Sequence, residues 1–175
     1  MQLPWLKVLI LETNQLIKLP ANLGNLTNLE ELNVGKNLLT TLPKSISKLT
    51  KLKDLRVYAN KLSSLPEEIG SLTSLEELHL ESNLLSKFPK SLGKLKKLKR
   101  LDLDNNKFNY QSLPSVISEL TALEYLSVAN SQLSNVPDSI AQLKNLKELN
   151  LKGNKMSEKV KSNIRKLLPN TKIEF

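Results

Sequence analysis

Cysteine is absent from this chain of 175 residues. Disulfides, thiolate metal sites and cysteine nucleophiles are therefore excluded. Histidine occurs once, as His79, which excludes a multi-histidine metal cage within one chain. Aromatic residues make up 4% of the sequence and glycine is scarce. No apolar run approaches the ~20 residues that cross a bilayer as a helix. Met1 to Ile10 lacks a basic segment followed by a long apolar run, so no signal peptide is visible. A cytoplasmic location is the default expectation, with secretion or surface display the alternative if a leader has been removed.

Leucine is abundant instead: about 40 residues are Leu. A surplus of one apolar type suggests reuse at equivalent sites. A hydrophobic fraction of 39% beside 25% charged residues argues against disorder. Lysine and arginine outnumber acids 26 to 17, for a net charge of +9. That balance first suggests nucleic acid, an anionic surface or an acidic partner.

The leucines fall into an internal repeat. Leu29-x-x-Leu32-x-Val34-x-x-Asn37-x-Leu39 is followed by Leu42-Pro43, Ile46 and Leu49. The same series returns with Leu52, Leu55, Val57, Asn60, Leu62, Leu65-Pro66, Ile69 and Leu72. Units start at residues 6, 29, 52, 75, 98, 123 and 146. In each, Leu-x-Leu alternation predicts a short strand with one buried face. The Asn sits where the chain leaves the strand, where its amide can bond turn and neighbouring-coil backbone. Asn14, Asn37, Asn60, Asn83, Asn106 and Asn154 are expected to stack as a buried ladder, weakened at Ser131. Pro suits the first position of a short helical turn. One coil cannot bury its own leucines, so the units make sense only as a stacked solenoid.

These motifs resemble the leucine-rich repeat family, in its class with Leu-Pro-x-x-Ile on the return leg. The class includes bacterial and Ras-regulator-like members. The tail, Lys166-Leu167-Leu168-Pro169-Asn170-x-Lys172-Ile173-x-Phe175, is similar to the end cap of spirochaete-type members. The resemblance implies an α/β solenoid: a right-handed horseshoe arc with a parallel sheet on its concave face and short helical or irregular convex segments. It implies protein binding without chemistry or cofactor. Residues 1–175 read as one domain. The cap, about 157–175, combines an amphipathic helix from Ser157 to Leu168 with a last strand at Lys172–Phe175.

Alternation along each strand places three side chains per unit on the concave face. The first row is Val8, Glu31, Asp54, Glu77, Arg100, Tyr125 and Glu148. The second is Ile10, Asn33, Arg56, His79, Asp102, Ser127 and Asn150, and the third Glu12, Gly35, Tyr58, Glu81, Asp104, Ala129 and Lys152. Eight acids face three bases there, so the +9 must be carried elsewhere. The return legs carry it, notably Lys87, Lys90, Lys94, Lys96, Lys97 and Lys99. Glu31, Asp54 and Glu77 in one row should attract cations or basic side chains.

The candidate partner-binding residues are Arg56, Tyr58, Glu77, His79, Glu81, Arg100, Asp102, Asp104 and Tyr125. Tyr and Arg commonly anchor interfaces; the alternative is a face that only confers solubility. The expected partner is a protein, offering a basic segment. Binding of membrane or nucleic acid through the basic return legs is the competing reading. His79 among carboxylates suits an ion pair better than a metal site. Ser127 lies two strands from His79, about 10 Å away, too far for a catalytic pair. Trp5, Val8 and Ile10 make the first strand's edge a candidate for self-association or the mark of a lost preceding cap; the alternative is a short irregular segment folded over the edge. The two-residue insertion around Tyr110 is a candidate specificity element or a neutral insertion.

Overall fold

A computed structural model describes residues 3, 5–108 and 112–175; Tyr110 lies outside them. Eight strands form one sheet in sequence order, β1 (Val8–Ile10), β2 (Glu31–Asn33), β3 (Asp54–Arg56), β4 (Glu77–His79), β5 (Arg100–Asp102), β6 (Tyr125–Ser127), β7 (Glu148–Asn150) and β8 (Lys172–Glu174). Every adjacent pair is parallel, with equivalent residues opposite one another. The repeat step of the sequence, 23 residues between most strands, 25 between β5 and β6 and 24 between β7 and β8, thus becomes strand register. The expected solenoid and its terminal strand are both present.

The middle residue of each strand points inward. Leu32, Leu55, Leu78, Leu101, Leu126 and Leu149 are fully buried. They stack with the leucines before and after them into one continuous core, so each coil is stabilised by its neighbours. At the first coil Leu6, Leu9, Leu11 and Leu16 are only partly buried, because β1 has a paired strand on one side alone.

Return legs are short 3₁₀ turns, such as Lys44–Lys48, Glu67–Ser71 and Lys90–Lys94. Pro43, Pro66 and Pro89 stand just before these turns in extended conformation rather than at their first helical position. The reason is visible in the bonding. Each proline carbonyl accepts the first turn bond, from Ile46, Ile69 or Leu92, and the missing proline N–H costs nothing there. The inward Ile or Leu then accepts from the next leucine N–H in the leg.

The asparagine ladder forms, but over a shorter span than the sequence suggests. Asn37, Asn60, Asn83 and Asn106 are buried; Asn14 is exposed and Asn154 half-buried, since each lies in a coil nearer an end. Asn83 shows the unit. Its amide donates to Val57 O at 3.1 Å, Leu80 O at 3.0 Å and Glu81 O at 3.4 Å, while its oxygen accepts from Leu62 N at 3.0 Å. At the sixth unit the buried Ser131 hydroxyl donates to Leu103 O or Ala129 O, and Phe108 N turns to the Ser131 carbonyl at 3.3 Å. One hydroxyl proton replaces two amide protons, which is the expected weakening.

The residue before each ladder position has a left-handed backbone: Thr13, Lys36, Ala59, Ser82, Asn105, Asn130 and Gly153. The turn requires positive φ, yet only Gly153 is glycine, so core stacking sustains the cost elsewhere.

The C-terminal helix α1 spans Glu158–Leu167, with the Ser157 side chain accepting from Val160 N. Ile164 and Leu168 are buried against the last coil, and Val160 and Leu167 pack partly on it. Arg165 and Lys161 lie over the Phe175 ring, at 4.8 and 5.7 Å. Among the described residues no helix is long and apolar enough to cross a membrane.

Candidate partner-binding face

The register of β3 to β6 gathers the predicted concave residues. Arg56, Glu77, His79, Glu81, Arg100, Asp102, Asp104 and Tyr125 line one open hollow of about 550 Å³. Tyr58 shares the face but lies outside that lining. Its ring covers Gly35, where a Cβ would come within 2.4 Å of a ring carbon, and its hydroxyl donates to Glu12. Glu12 also accepts from Lys36 at 2.9 Å and from Asn33 at 3.0 Å. These bonds, that of Tyr58 first, lower the Glu12 carboxyl to about 2.

Side chains two apart on a strand share a face, so charges at that spacing meet. Arg56 pairs with Asp54 at 2.6 Å, and Arg100 with Asp102 at 2.8 Å. The first-row acids are therefore not a free trio: Asp54 is neutralised within its own strand. The Arg100 guanidinium also lies 3.9 Å from the centre of the Tyr125 ring, a cation–π contact that fixes both.

His79 bridges two strands. Its Nδ1 lies 2.8 Å from Asp102 and its Nε2 3.2 Å from Glu77. Burial opposes the imidazolium, but the bonds to Asp102 and Glu77 and the charges of Asp102 and Glu81 prevail and raise its pKa. Burial would raise Asp102; its bonds with His79 and Arg100 pull it below the ordinary value. Glu81 has no such partner. Burial, reinforced by the like charges of Asp102 and Asp104, raises it, and its Oε2 is buried without a hydrogen bond among the described residues.

Asp104 accepts from Ala129 N at 2.6 Å and from the Ser127 hydroxyl, tying the third row to β6. Ser127 also accepts from Asn150. Its hydroxyl is committed to Asp104, not to His79. Spacing alone does not reveal this clamp, because the third-row side chain reaches diagonally across to the next coil.

Two sets, Asp54–Glu77–His79 and His79–Glu81–Asp102, bring ligand atoms within 4.8 Å of one another. Both ring nitrogens of His79 are already engaged, and Arg100 holds Asp102. A dication there would face a guanidinium, which disfavours it. The arrangement is an ion-paired histidine in an acidic hollow. At the far end of the face Lys172 pairs with Glu148, and Lys152 with Glu174. Among the described residues no lysine or arginine ion pair engages Glu77, Glu81 or Asp104.

The family model described as leucine-rich repeat region matches residues 1–109. A second, for the repeats of leucine-rich repeat and WD repeat-containing protein 1, matches residues 83–173. No curated protein matches the chain. Among solved structures, a leucine-rich repeat protein of Leptospira interrogans is 39% identical, with a TM-score of 0.75, over 98% of this chain and 49% of that one. This chain thus spans about half the length of that relative. The plant peptide hormone receptor RGFR1, in complex with RGF2, is 32% identical with a TM-score of 0.70, over 86% of this chain and 29% of the receptor. An internalin of Listeria monocytogenes, 23% identical with a TM-score of 0.74 over 90% of this chain and 44% of its own, attests the fold alone. Repeat spacing, parallel register, asparagine ladder and family match agree, and the chain belongs to the leucine-rich repeat family.

Proposed function

We propose that this chain is a non-enzymatic protein-interaction module, one domain over residues 1–175, that binds a protein on its acidic concave face through a basic segment of that partner. The observation that carries the reading is the hollow on β3 to β6, where Glu77, Glu81 and Asp104 converge without lysine or arginine ion pairs among the described residues. Tyr125 and Arg100 at its rim are already held in place by each other. Binding would order little backbone, because stacked coils fix the rows in advance. RGFR1, a similar protein, is a plant peptide hormone receptor whose structure is in complex with RGF2. The committed hydroxyl of Ser127 supports a reading without nucleophilic catalysis.

Affinity capture tests it. The chain with Glu77→Lys, Glu81→Lys and Asp104→Lys should lose the partners retained by the unaltered chain while still unfolding cooperatively, at a urea midpoint lowered by loss of the Asp104 clamp on Ala129 N. Retention of all partners would refute the concave reading.

The second reading uses the return legs. Lys87, Lys90, Lys94, Lys96, Lys97 and Lys99 are all exposed, although Lys99 is paired with Glu76 at 2.7 Å. An anionic surface, membrane or nucleic acid, would bind there with steep salt dependence. Heparin retention at low salt that survives the triple concave variant would support this reading; no retention would eliminate it.

A further inference from the structure

The concave face is not acidic throughout. Val8 and Ile10 occupy the first and second rows at β1, opposite Glu31 and Asn33 of β2. Every later unit through β7 places a polar side chain at these two positions, except for the aromatic Tyr125. Val8 is 47% and Ile10 61% exposed, so the strand presents two aliphatic side chains to solvent beside an otherwise polar surface. The backbone edge of β1 accounts for part of that exposure, since second-row residues with a strand on each side are buried or half-buried, but not for the aliphatic chemistry of the two positions. Another coil stacked on that edge would pair with its backbone and cover Leu6 and Leu9, yet leave Val8 and Ile10 facing the hollow side.

We infer that the face is a two-part docking surface for one extended peptide segment of a partner protein, with an aliphatic side chain on Val8 and Ile10 and a lysine or arginine in the hollow beside Glu77 and Glu81. The inference rests on the concave reading and specifies the ligand for it. Three strand spacings separate β1 from β4, about 14 Å. An extended chain advances about 3.3 Å per residue, and its side chains face one way at every second position. The aliphatic and basic residues should then lie about four positions apart, an even spacing that turns both toward the sheet. Charge complementarity selects a basic residue at one end; the replacement of polar by aliphatic side chains selects an apolar one at the other. A second copy of this chain is the rival occupant of the aliphatic end.

Selection of random dodecapeptides displayed on phage against the full chain tests the proposal. The expected outcome is enrichment of peptides pairing an aliphatic with a basic residue at the even spacing derived above. Ile10→Ser should weaken the best such peptide about tenfold and erase the aliphatic preference, the effect of exposing one aliphatic contact. The double variant Glu77→Gln, Glu81→Gln should erase the basic preference instead. Basic peptides enriched with no aliphatic residue at fixed spacing would overturn the two-part surface and leave the concave reading standing. No enrichment, or peptides indifferent to both variants, would overturn both. Dimerisation in sedimentation equilibrium that Ile10→Ser abolishes would overturn the inference by assigning the aliphatic end to a second copy.

Discussion

His79 Nδ1 lies 2.8 Å from Asp102 across the β4–β5 pair, so the one histidine of the chain links two coils on the face that carries the hollow. Its raised pKa has a fixed consequence for stability. An unfolded histidine titrates near about 6.5. A group raised on folding contributes stability fully below the unfolded value and loses it as pH rises through the folded value. The urea midpoint should therefore fall above about pH 6.5, and His79→Gln should flatten that decline. Asp102 acts in the opposite sense at acid pH, since its lowered value gives stability that is lost as pH falls. A wild-type profile parallel to that of His79→Gln between neutral and mildly alkaline pH would contradict the linkage.

Asn83 carries four bonds in the middle of the ladder. Asn83→Ala should cost about 2–4 kcal/mol in urea unfolding, because buried backbone groups lose their partners. Asn83→Ser should cost less, as the hydroxyl of Ser131 already serves this place in the sixth unit. Equal losses for Ala and Ser would refute that account.

Gly153 has φ near +69°, and a Cβ there would come within 1.9 Å of the Asn130 side-chain oxygen. Gly153→Ala should destabilise by more than about 1 kcal/mol. Ala59 shares the left-handed conformation, so Ala59→Gly should gain about 0.5 kcal/mol, the strain relieved less the entropy of the unfolded glycine. Thermal or urea unfolding of the two variants reads both signs; a stabilising Gly153→Ala would be decisive against it.

Ile164 is fully buried where α1 closes the last coil. Ile164→Ala should cost about 2–4 kcal/mol in urea unfolding. A loss under about 0.5 kcal/mol, of the size seen at ordinary surface sites, would mean the helix does not close the core.

The repeat step made strands, core and terminal cap legible, because one leucine pattern recurs and each strand pairs with its equivalent. The face was legible row by row for the same reason: eight of the nine residues singled out line one hollow. Pairing within a row was harder to read. Asp54 belongs to an acidic row, yet Arg56, two residues on and on the same face, neutralises it. Asn14 fits the ladder pattern but stands in the first coil and is exposed, since burial depends on neighbours that a single unit does not contain. The left-handed residues before the ladder carry no shared residue type, so only backbone geometry reveals them. Asp104 illustrates the remaining gap: its clamp on Ala129 N crosses to another coil and needs coordinates.

The most direct measurement of the central claim is site-specific photocrosslinking to captured partners. A benzophenone side chain is placed at Tyr125, on the rim of the hollow, and separately at the exposed Lys94 on a return leg. Adducts with a protein from position 125, absent from position 94 and lost in the Glu77→Lys, Glu81→Lys, Asp104→Lys background, are the expected result. Adducts from position 94 alone would contradict a concave binding face.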